Sequence, residues 1–273
     1  MDTPLIKLNN GVVIPQLGMG VFHSEPGAET STAVRWAIEA GYRHIDTAIA
    51  YNNEADVTAG ILESGVKREE VFVSSKVASA DIRGNTVREG IERSLDKSPG
   101  GYWDQLLIHW PVPGFIDAYE ILMSFYEAKR VRVIGVSNFE PHHIQALLDR
   151  GYVLPAVNQV ELHPSYQQKN VKRYCAEKGI AVEAWSPLGG RDHSLLGVPE
   201  LIAIGEKYGK SSAQTIIRWH LQSGHIVIPK SVKKQRIIEN SQVFDFELST
   251  EDMAAIAALD TNKRSYWDPT RWD

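Results

Sequence analysis

Val171-Lys172-Arg173-Tyr174-Cys175-Ala176-Glu177-Lys178-Gly179-Ile180-Ala181-Val182-Glu183-Ala184-Trp185 holds one complete structural period. Val171, Tyr174 and Cys175 stand at i, i+3 and i+4, the spacing of one helix face. Gly179 suits the left-handed residue that closes a helix. Ile180–Trp185 is then a short, largely apolar run, as expected of a buried parallel strand.

The same alternation extends in both directions. Seven further apolar runs are Leu17–Phe22, Tyr42–Thr47, Val71–Val77, Leu106–Trp110, Val131–Val136, Ala156–Leu162 and His225–Pro229. Helical spacing recurs between them. It is carried by Val34, Ala37 and Ile38 before Gly41, and by Phe115, Ala118, Tyr119 and Leu122. Ile144, Leu147 and Leu148 after Pro141, and Ile216, Ile217 and His220, repeat it. Eight strands alternating with helices predict a (β/α)8 barrel, built from 1–273 as a single domain. The rival is an open doubly wound sheet. Against it, no strand is followed by Gly-x-Gly-x-x-Gly, and Gly18-Met19-Gly20 lacks the third glycine.

Outside the rhythm, Ile6–Leu8 and Val12–Ile14 flank Asn9-Asn10-Gly11 and predict an N-terminal β-hairpin, with Asn-Gly supplying the positive φ angles of a tight turn. Gly189–Glu200 reads as a loop after the seventh strand, leading toward a short helix. Leu248–Leu259 reads as an extra C-terminal helix capped by Ser249 or Thr250, followed by the aromatic tail Tyr266–Asp273.

Composition narrows the function classes. The 273 residues are 43% hydrophobic and 23% charged, with a net charge of −5. That balance favours neither a nucleic-acid nor an acidic-membrane partner. No apolar run approaches the ~20 residues of a membrane span. The start, Met1-Asp2-Thr3-Pro4, lacks the basic and apolar regions of a signal peptide, so a cytoplasmic location is expected. The one cysteine, Cys175, permits no intrachain disulfide and is expected to be a buried structural thiol.

In such barrels the reactive groups sit at the C-terminal ends of the strands. The second run ends at Asp46, with Tyr51 five residues on. The third ends with Lys76 and the fourth with His109. Taken singly, each has an ordinary structural reading: a cap or salt-bridge partner for Asp46, packing for Tyr51, a satisfied core imidazole for His109. A buried Lys76 is less ordinary, because it needs a counter-ion. Together they make a proton donor. Asp46 would hold Lys76 charged, Lys76 would lower the phenol pKa of Tyr51, and a neutral His109 would orient a carbonyl oxygen. No metal cage accompanies them, so the reducing equivalent must come from a cofactor.

Gly41-Tyr42-Arg43-His44-Ile45-Asp46-Thr47-Ala48, with Tyr51 and Asn53-Glu54, closely resembles the first signature of the aldo-keto reductase superfamily. Ile134–Phe139, Asn158–Pro164 and Ile228–Ser231 resemble its later signatures, in order across nearly the whole chain. The resemblance is to microbial members of the prostaglandin F synthase and 2,5-diketo-gluconate reductase type. It implies NADPH-dependent reduction of aldehydes or ketones, with Asp46, Tyr51, Lys76 and His109 as catalytic tetrad and Tyr51 as general acid. It also implies that Ser137, Asn138 and Gln159 hold the nicotinamide carboxamide and that Trp185 stacks on the ring. Ser186 and Leu188 match the pyrophosphate loop. Lys230, Ser231 and Arg236 match the clamp on the 2′-phosphate, and Glu239 and Asn240 the adenine contacts. The cation run Lys230–Arg236 would otherwise be a solvated face. Phe22, Tyr51, His109, Trp110, Trp267 and Trp272 are expected around a small-molecule carbonyl substrate, in a monomeric enzyme.

Two departures stand out. Val77-Ala78-Ser79 replaces the family's aromatic after Lys76, which is expected to open one pocket wall. Ser98-Pro99-Gly100-Gly101-Tyr102 replaces a more regular segment, far from the chemistry. Two other classes stay open at this stage. One is a cofactor-binding subunit with little turnover. The other is a barrel isomerase or aldolase using Lys76 as a Schiff-base amine.

Overall fold

A computed structural model describes residues 3–190 and 194–272. Strands β1 (Leu5–Lys7) and β2 (Val13–Pro15) form an antiparallel hairpin with Ile6 opposite Ile14. Its turn differs from the expected Asn-Gly pair. Of the loop residues only Gly11 has positive φ, at 85°. Leu8 N–H donates to Val12 O (2.8 Å) and Gly11 N–H to Leu8 O (2.9 Å), which makes a three-residue loop with glycine at the left-handed position. Asn10 uses its side chain instead, accepting from Val12 N–H (3.2 Å) and donating to Arg132 O (3.1 Å).

Eight parallel strands follow: β3 (Met19–Gly20), β4 (His44–Asp46), β5 (Phe72–Val77), β6 (Trp103–Ile108), β7 (Val131–Ser137), β8 (Val157–Glu161), β9 (Ala181–Trp185) and β10 (Ile226–Val227). Each pairs with its neighbour in chain order. The ends then meet. Leu17 bridges Val227 and Gly20 bridges Lys230, with Gly18 N–H donating to Val227 O (2.9 Å) and Val227 N–H to Gln16 O (2.8 Å). This closure excludes the open sheet. It also accounts for Gly18: a Cβ there would lie 2.5 Å from His44 Nδ1, so the seam requires a bare backbone. The two seam strands are shorter than the apolar runs that announced them.

Helices Ala28–Glu39, Phe115–Glu127, Pro141–Asp149, Lys169–Lys178 and Ser212–Gln222 lie where the spacing placed them. Each turns its apolar stripe onto the barrel; Val34, Ala37 and Ile38 are buried, as are Leu122 and Ile144. Gly179 closes its helix at φ 71°. The added helix Thr250–Ala257 is capped by Ser249, whose Oγ accepts from Asp252 N–H (3.1 Å). The expected loop 189–200 holds a short turn at Ser194–Gly197 and passes into the helix Pro199–Lys207; residues 191–193 of it lie outside the described residues. Helices Glu54–Glu63, Val87–Leu95 and Lys234–Ser241 are additional. The last takes up the end of the cation run after β10, from Lys234 on, in a helix anchored by buried Ile237.

The hairpin stops the N-terminal end of the barrel. Leu8 and Ile14 join Phe72, Leu107, Val133, Ala156, Val157 and Ile226 in one buried apolar cluster. Asn9 ties the loop to Pro155 O (3.0 Å). Cys175 is fully buried beneath Asn158, and burial raises its thiol to about 11. No helix among the described residues is long and apolar enough to cross a membrane.

Candidate active site

At the open end of the barrel, β4 and β5 deliver Asp46 and Lys76 to the same point. Lys76 Nζ donates to Asp46 Oδ1 (2.8 Å), Asp46 Oδ2 (2.7 Å) and Thr47 O (2.8 Å). Lys76 is completely buried and Asp46 is 3% exposed. Removing two charges from water costs several kcal/mol per ion unless the geometry is good and the remaining protons are satisfied. Here all three ammonium protons have acceptors. Burial is the largest single influence and works against the Lys76 charge, but the attractions of Asp46, Tyr51 and Glu183 together outweigh it and raise the lysine pKa.

Tyr51 ends a single helical turn, Ile49–Tyr51, that is held from behind. Thr47 Oγ1 donates to Asn53 Oδ1 (2.7 Å), and Asn53 Nδ2 donates to Val21 O (3.1 Å). Asn52 takes the left-handed φ of 57° that reverses the chain into the helix Glu54–Glu63. Lys76 Nζ lies 5.1 Å from the Tyr51 ring centroid. The expected net lowering of the phenol is not found. Burial raises its pKa, and the attraction of Lys76 only partly reverses this, with Asp46 opposing it. His109 faces Tyr51 edge-on at 5.7 Å. Burial and then the Lys76 charge lower its imidazole to about 3, so it is neutral at physiological pH.

The aromatic residues expected around a substrate form a chain across the mouth. Phe22 is 4.9 Å from Tyr51, His109 is 6.4 Å from Trp110, and Trp110 is 6.1 Å from Trp267 and 5.3 Å from Trp272. Trp267 is 60% exposed and forms the outer rim. The wall beside Val77 and Ala78 is not left open, contrary to expectation. Both residues are buried, and Trp272 packs between Trp110 and Arg83 on the segment that follows them.

Beside this group, β7, β8 and β9 present amides and an indole. Gln159 Nε2 donates to Asp46 Oδ1 (2.8 Å). Ser137 Oγ donates to Gln159 O (2.9 Å), and Asn138 Nδ2 to His109 O (3.0 Å) and Ser137 Oγ (3.1 Å). Trp185 Nε1 donates to Asn138 Oδ1 (2.9 Å). These contacts link the amides to Asp46 and His109, which the sequence pattern did not reveal. Ser186, at φ 51°, donates to Gly189 O (2.7 Å) and turns the chain with half-buried Leu188 over the barrel rim. Across the seam, Lys230, Lys233 and Arg236 are exposed and, among the described residues, pair with no carboxylate. Among the described residues, Lys230 Nζ donates only to His23 O (3.0 Å). Ser231 is buried, and Glu239 and Asn240 lie one turn beyond Arg236 in the helix Lys234–Ser241. Three unopposed cations at one rim of an acidic protein suit a phosphate-bearing ligand, and the amide cluster suits a carboxamide. No group of three or more potential ligands arranged to hold a metal occurs among the described residues.

Three residues have supporting roles that the sequence did not show. Glu54, 1% exposed, accepts from Ser75 Oγ and Ser94 Oγ, both at 2.6 Å. Glu161, at the end of β8, accepts from His163 (3.1 Å) and from the backbone N–H groups of Ser265 (2.7 Å) and Tyr266 (3.3 Å). It thereby fixes the root of the aromatic tail and sets Tyr266 edge-on to Trp185 at 5.0 Å. Glu183, completely buried inside the barrel below Gln159, is the third.

The Aldo/keto reductase family model matches residues 16–261. The chain belongs to the aldo/keto reductase family. It is 49% identical over 266 residues to the 9,11-endoperoxide prostaglandin H2 reductase of Trypanosoma cruzi, covering 97% of this chain and 94% of that one. It is 48% identical over 260 residues to the glyoxal reductase of Bacillus subtilis, covering 95% and 94%. The Bombyx mori aldo-keto reductase, solved in complex with NADP, superposes with a TM-score of 0.89 at 35% identity, over 97% of this chain and 95% of that one. As an aldo/keto reductase the chain is an oxidoreductase, and the Schiff-base reading falls away. The charged Lys76, bound on all three protons, is no free amine.

Proposed function

We propose that this aldo/keto reductase reduces small aldehydes and ketones with NADPH, and that Tyr51 delivers the proton. The observation that carries this reading is the sealed Asp46–Lys76 pair beneath a phenol at the barrel mouth, with a neutral imidazole across from it. When bound, NADPH supplies the hydride. The protein's own residues do the rest. His109, neutral and therefore able to donate one N–H, orients the carbonyl oxygen toward Tyr51. The Tyr51 hydroxyl gives its proton to the oxygen as negative charge develops there. Lys76 stabilises the phenolate left behind, and Asp46 holds Lys76 in place and charged.

Ser137, Asn138 and Gln159 would hold the carboxamide, with Trp185 against the ring. Ser186 and Leu188 would border the pyrophosphate. Lys230, Ser231 and Arg236 would hold the 2′-phosphate, with Glu239 and Asn240 beside the adenine. The Bombyx mori complex with NADP supports that assignment, as do the unopposed cations after β10. Phe22, His109, Trp110 and Trp267 would line the carbonyl pocket. The names of the Bacillus subtilis and Trypanosoma cruzi relatives favour glyoxals and oxygenated lipids as first substrates to try. The 273 residues are read as one functional barrel unit.

The test is NADPH consumption with methylglyoxal and phenylglyoxal, compared between the wild type and Tyr51→Phe. The expected result is a kcat lower by about 10²- to 10⁴-fold in the variant, with unchanged NADPH affinity. Near-normal turnover by Tyr51→Phe would assign the proton to another group.

A further inference from the structure

The middle of the barrel is polar. His44, Ser74, Gln105 and Glu183 project inward from β4, β5, β6 and β9, each completely buried. Barrel interiors are ordinarily filled by branched aliphatic side chains. The layer below is of that kind, and Phe72 meets His44 edge-on at 5.4 Å. The layer above is the Asp46–Lys76–Gln159 group.

The contacts within the polar layer are specific. Gln105 Nε2 donates to Glu183 Oε2 (3.0 Å). His44 Nε2 lies 3.2 Å from Ser74 Oγ and 3.4 Å from Glu183 Oε1. Glu183 is paired in register with Gln159 on the adjacent strand, and Gln159 Nε2 donates to Asp46 Oδ1 (2.8 Å). The charged or titratable groups that face Glu183 are His44 and Asp46 from β4 and Lys76 from β5. β6 and β8 offer the uncharged Gln105 and Gln159, and β10 offers Ile226, its register partner. Glu161 on β8 is committed to the tail.

The interior therefore contains two carboxyl groups and one ammonium. Lys76 is committed to Asp46 by both carboxylate oxygens, and His44 is kept neutral by burial first and by Lys76 second. Among the described residues no further cation remains to compensate a second negative charge. We infer that Glu183 is held as a neutral carboxylic acid and acts as a positioning residue. While protonated, it leaves Asp46 as the sole counter-ion of Lys76. On losing its proton to solvent through the mouth, it becomes a competing carboxylate that holds Lys76 back from Tyr51.

The electrostatic balance agrees. Burial, and next the neighbouring Asp46 charge, raise the Glu183 carboxyl to about 8, with Lys76 and the two glutamine amides pulling the other way. Glu183 in turn acts on the lysine. The switch thus falls at the edge of the physiological range. Its effect on catalysis rests on Tyr51 and Lys76 working as proposed above; the neutral acid itself does not.

Two measurements separate these. The first is the carboxyl ¹³C titration of protein labelled at glutamate. A resonance moving with a midpoint near pH 8 in the wild type, and missing from Glu183→Gln, is expected. A Glu183 resonance that titrates in the ordinary carboxylate range overturns the inference, whatever the enzyme's activity. The second is kcat for methylglyoxal reduction against pH. The wild type is expected to show an alkaline limb falling by up to about tenfold per pH unit above that midpoint. Glu183→Gln should lose this limb while its kcat near pH 6 stays within about twofold of the wild type. Superimposable profiles would overturn the positioning role even if the resonance titrates as expected. If Glu183→Gln fails to fold, the wild-type spectrum decides alone: a glutamate carboxyl titrating near pH 8 is expected, and a spectrum in which every glutamate titrates in the ordinary carboxylate range overturns the inference.

Discussion

Glu54 ties the loop that carries Tyr51 to the rest of the barrel, and its removal should be costly in a way that can be worked out. Its Oε1 accepts two hydrogen bonds of 2.6 Å, from Ser75 on β5 and Ser94 in the helix Val87–Leu95. Trp103 Nε1 on β6 donates in turn to Ser94 Oγ (2.9 Å). Glu54→Ala strands both serine hydroxyls in a buried place, at about 1–3 kcal/mol each. Lys97 lies 3.8 Å from Oε2 but is 46% exposed, so its loss adds little. The sum is about 2–6 kcal/mol, which corresponds to a Tm lower by roughly 10 °C for a chain of this size. Glu54→Gln keeps an oxygen where both hydroxyls point and should cost less than about 1.5 kcal/mol. Urea unfolding of the two variants and the wild type measures the difference. If Gln costs as much as Ala, the charge rather than the hydrogen-bond node is what matters. If neither costs more than about 1 kcal/mol, the node is not a support at all.

Other consequences can be tested alongside. Arg236→Ala should weaken NADPH by about 10- to 100-fold and NADH by less than about twofold, because a charge-assisted bond to phosphate is lost only in the first case; fluorescence titration with both nucleotides measures it, and equal losses would remove Arg236 from the 2′-phosphate. Glu183 also makes stability depend on pH. Its folded pKa of about 8 lies above the ordinary 4.5, so the folded state binds the extra proton and its stability is full below pH 4.5. That contribution is lost as pH rises through 8, on the order of 5 kcal/mol in all at about 1.4 kcal/mol per pH unit. Glu183→Gln should therefore gain on the wild type steadily between those pH values in urea unfolding, and parallel curves would contradict the shift.

The strands were legible because a parallel barrel strand is covered on both faces and so reads as a continuous apolar run. The seam strands were overestimated because Leu17–Phe22 and His225–Pro229 are apolar beyond the two residues that each pairs regularly. The hairpin turn was misread because Asn10 is as suited to a side-chain hydrogen bond as to positive φ. The helix Lys234–Ser241 has only Ile237 and Ile238 as apolar residues and shows no stripe.

The same physics divides the site. Asp46, Lys76 and His109 stand at strand ends, where the chain order alone brings them to one mouth. Glu183 and Gln105 sit inside their strands, and their inward direction becomes visible only once the sheet closes. The tail has no period because Glu161 anchors it through two backbone N–H groups, and Arg264 through an ion pair with Glu140, rather than through a repeating apolar face.

The apolar stopper of Leu8, Ile14, Phe72 and their neighbours closes the N-terminal end of the barrel interior and, among the described residues, leaves the mouth as its door. Protons that reach His44, Glu183 or Asp46 must pass Tyr51 and His109, through the opening that admits the carbonyl compound. A molecule seated in that opening isolates the proton content of the interior for as long as it stays. Each turnover then runs on the protons present when the door closed, and exchange with the medium belongs to the interval between turnovers.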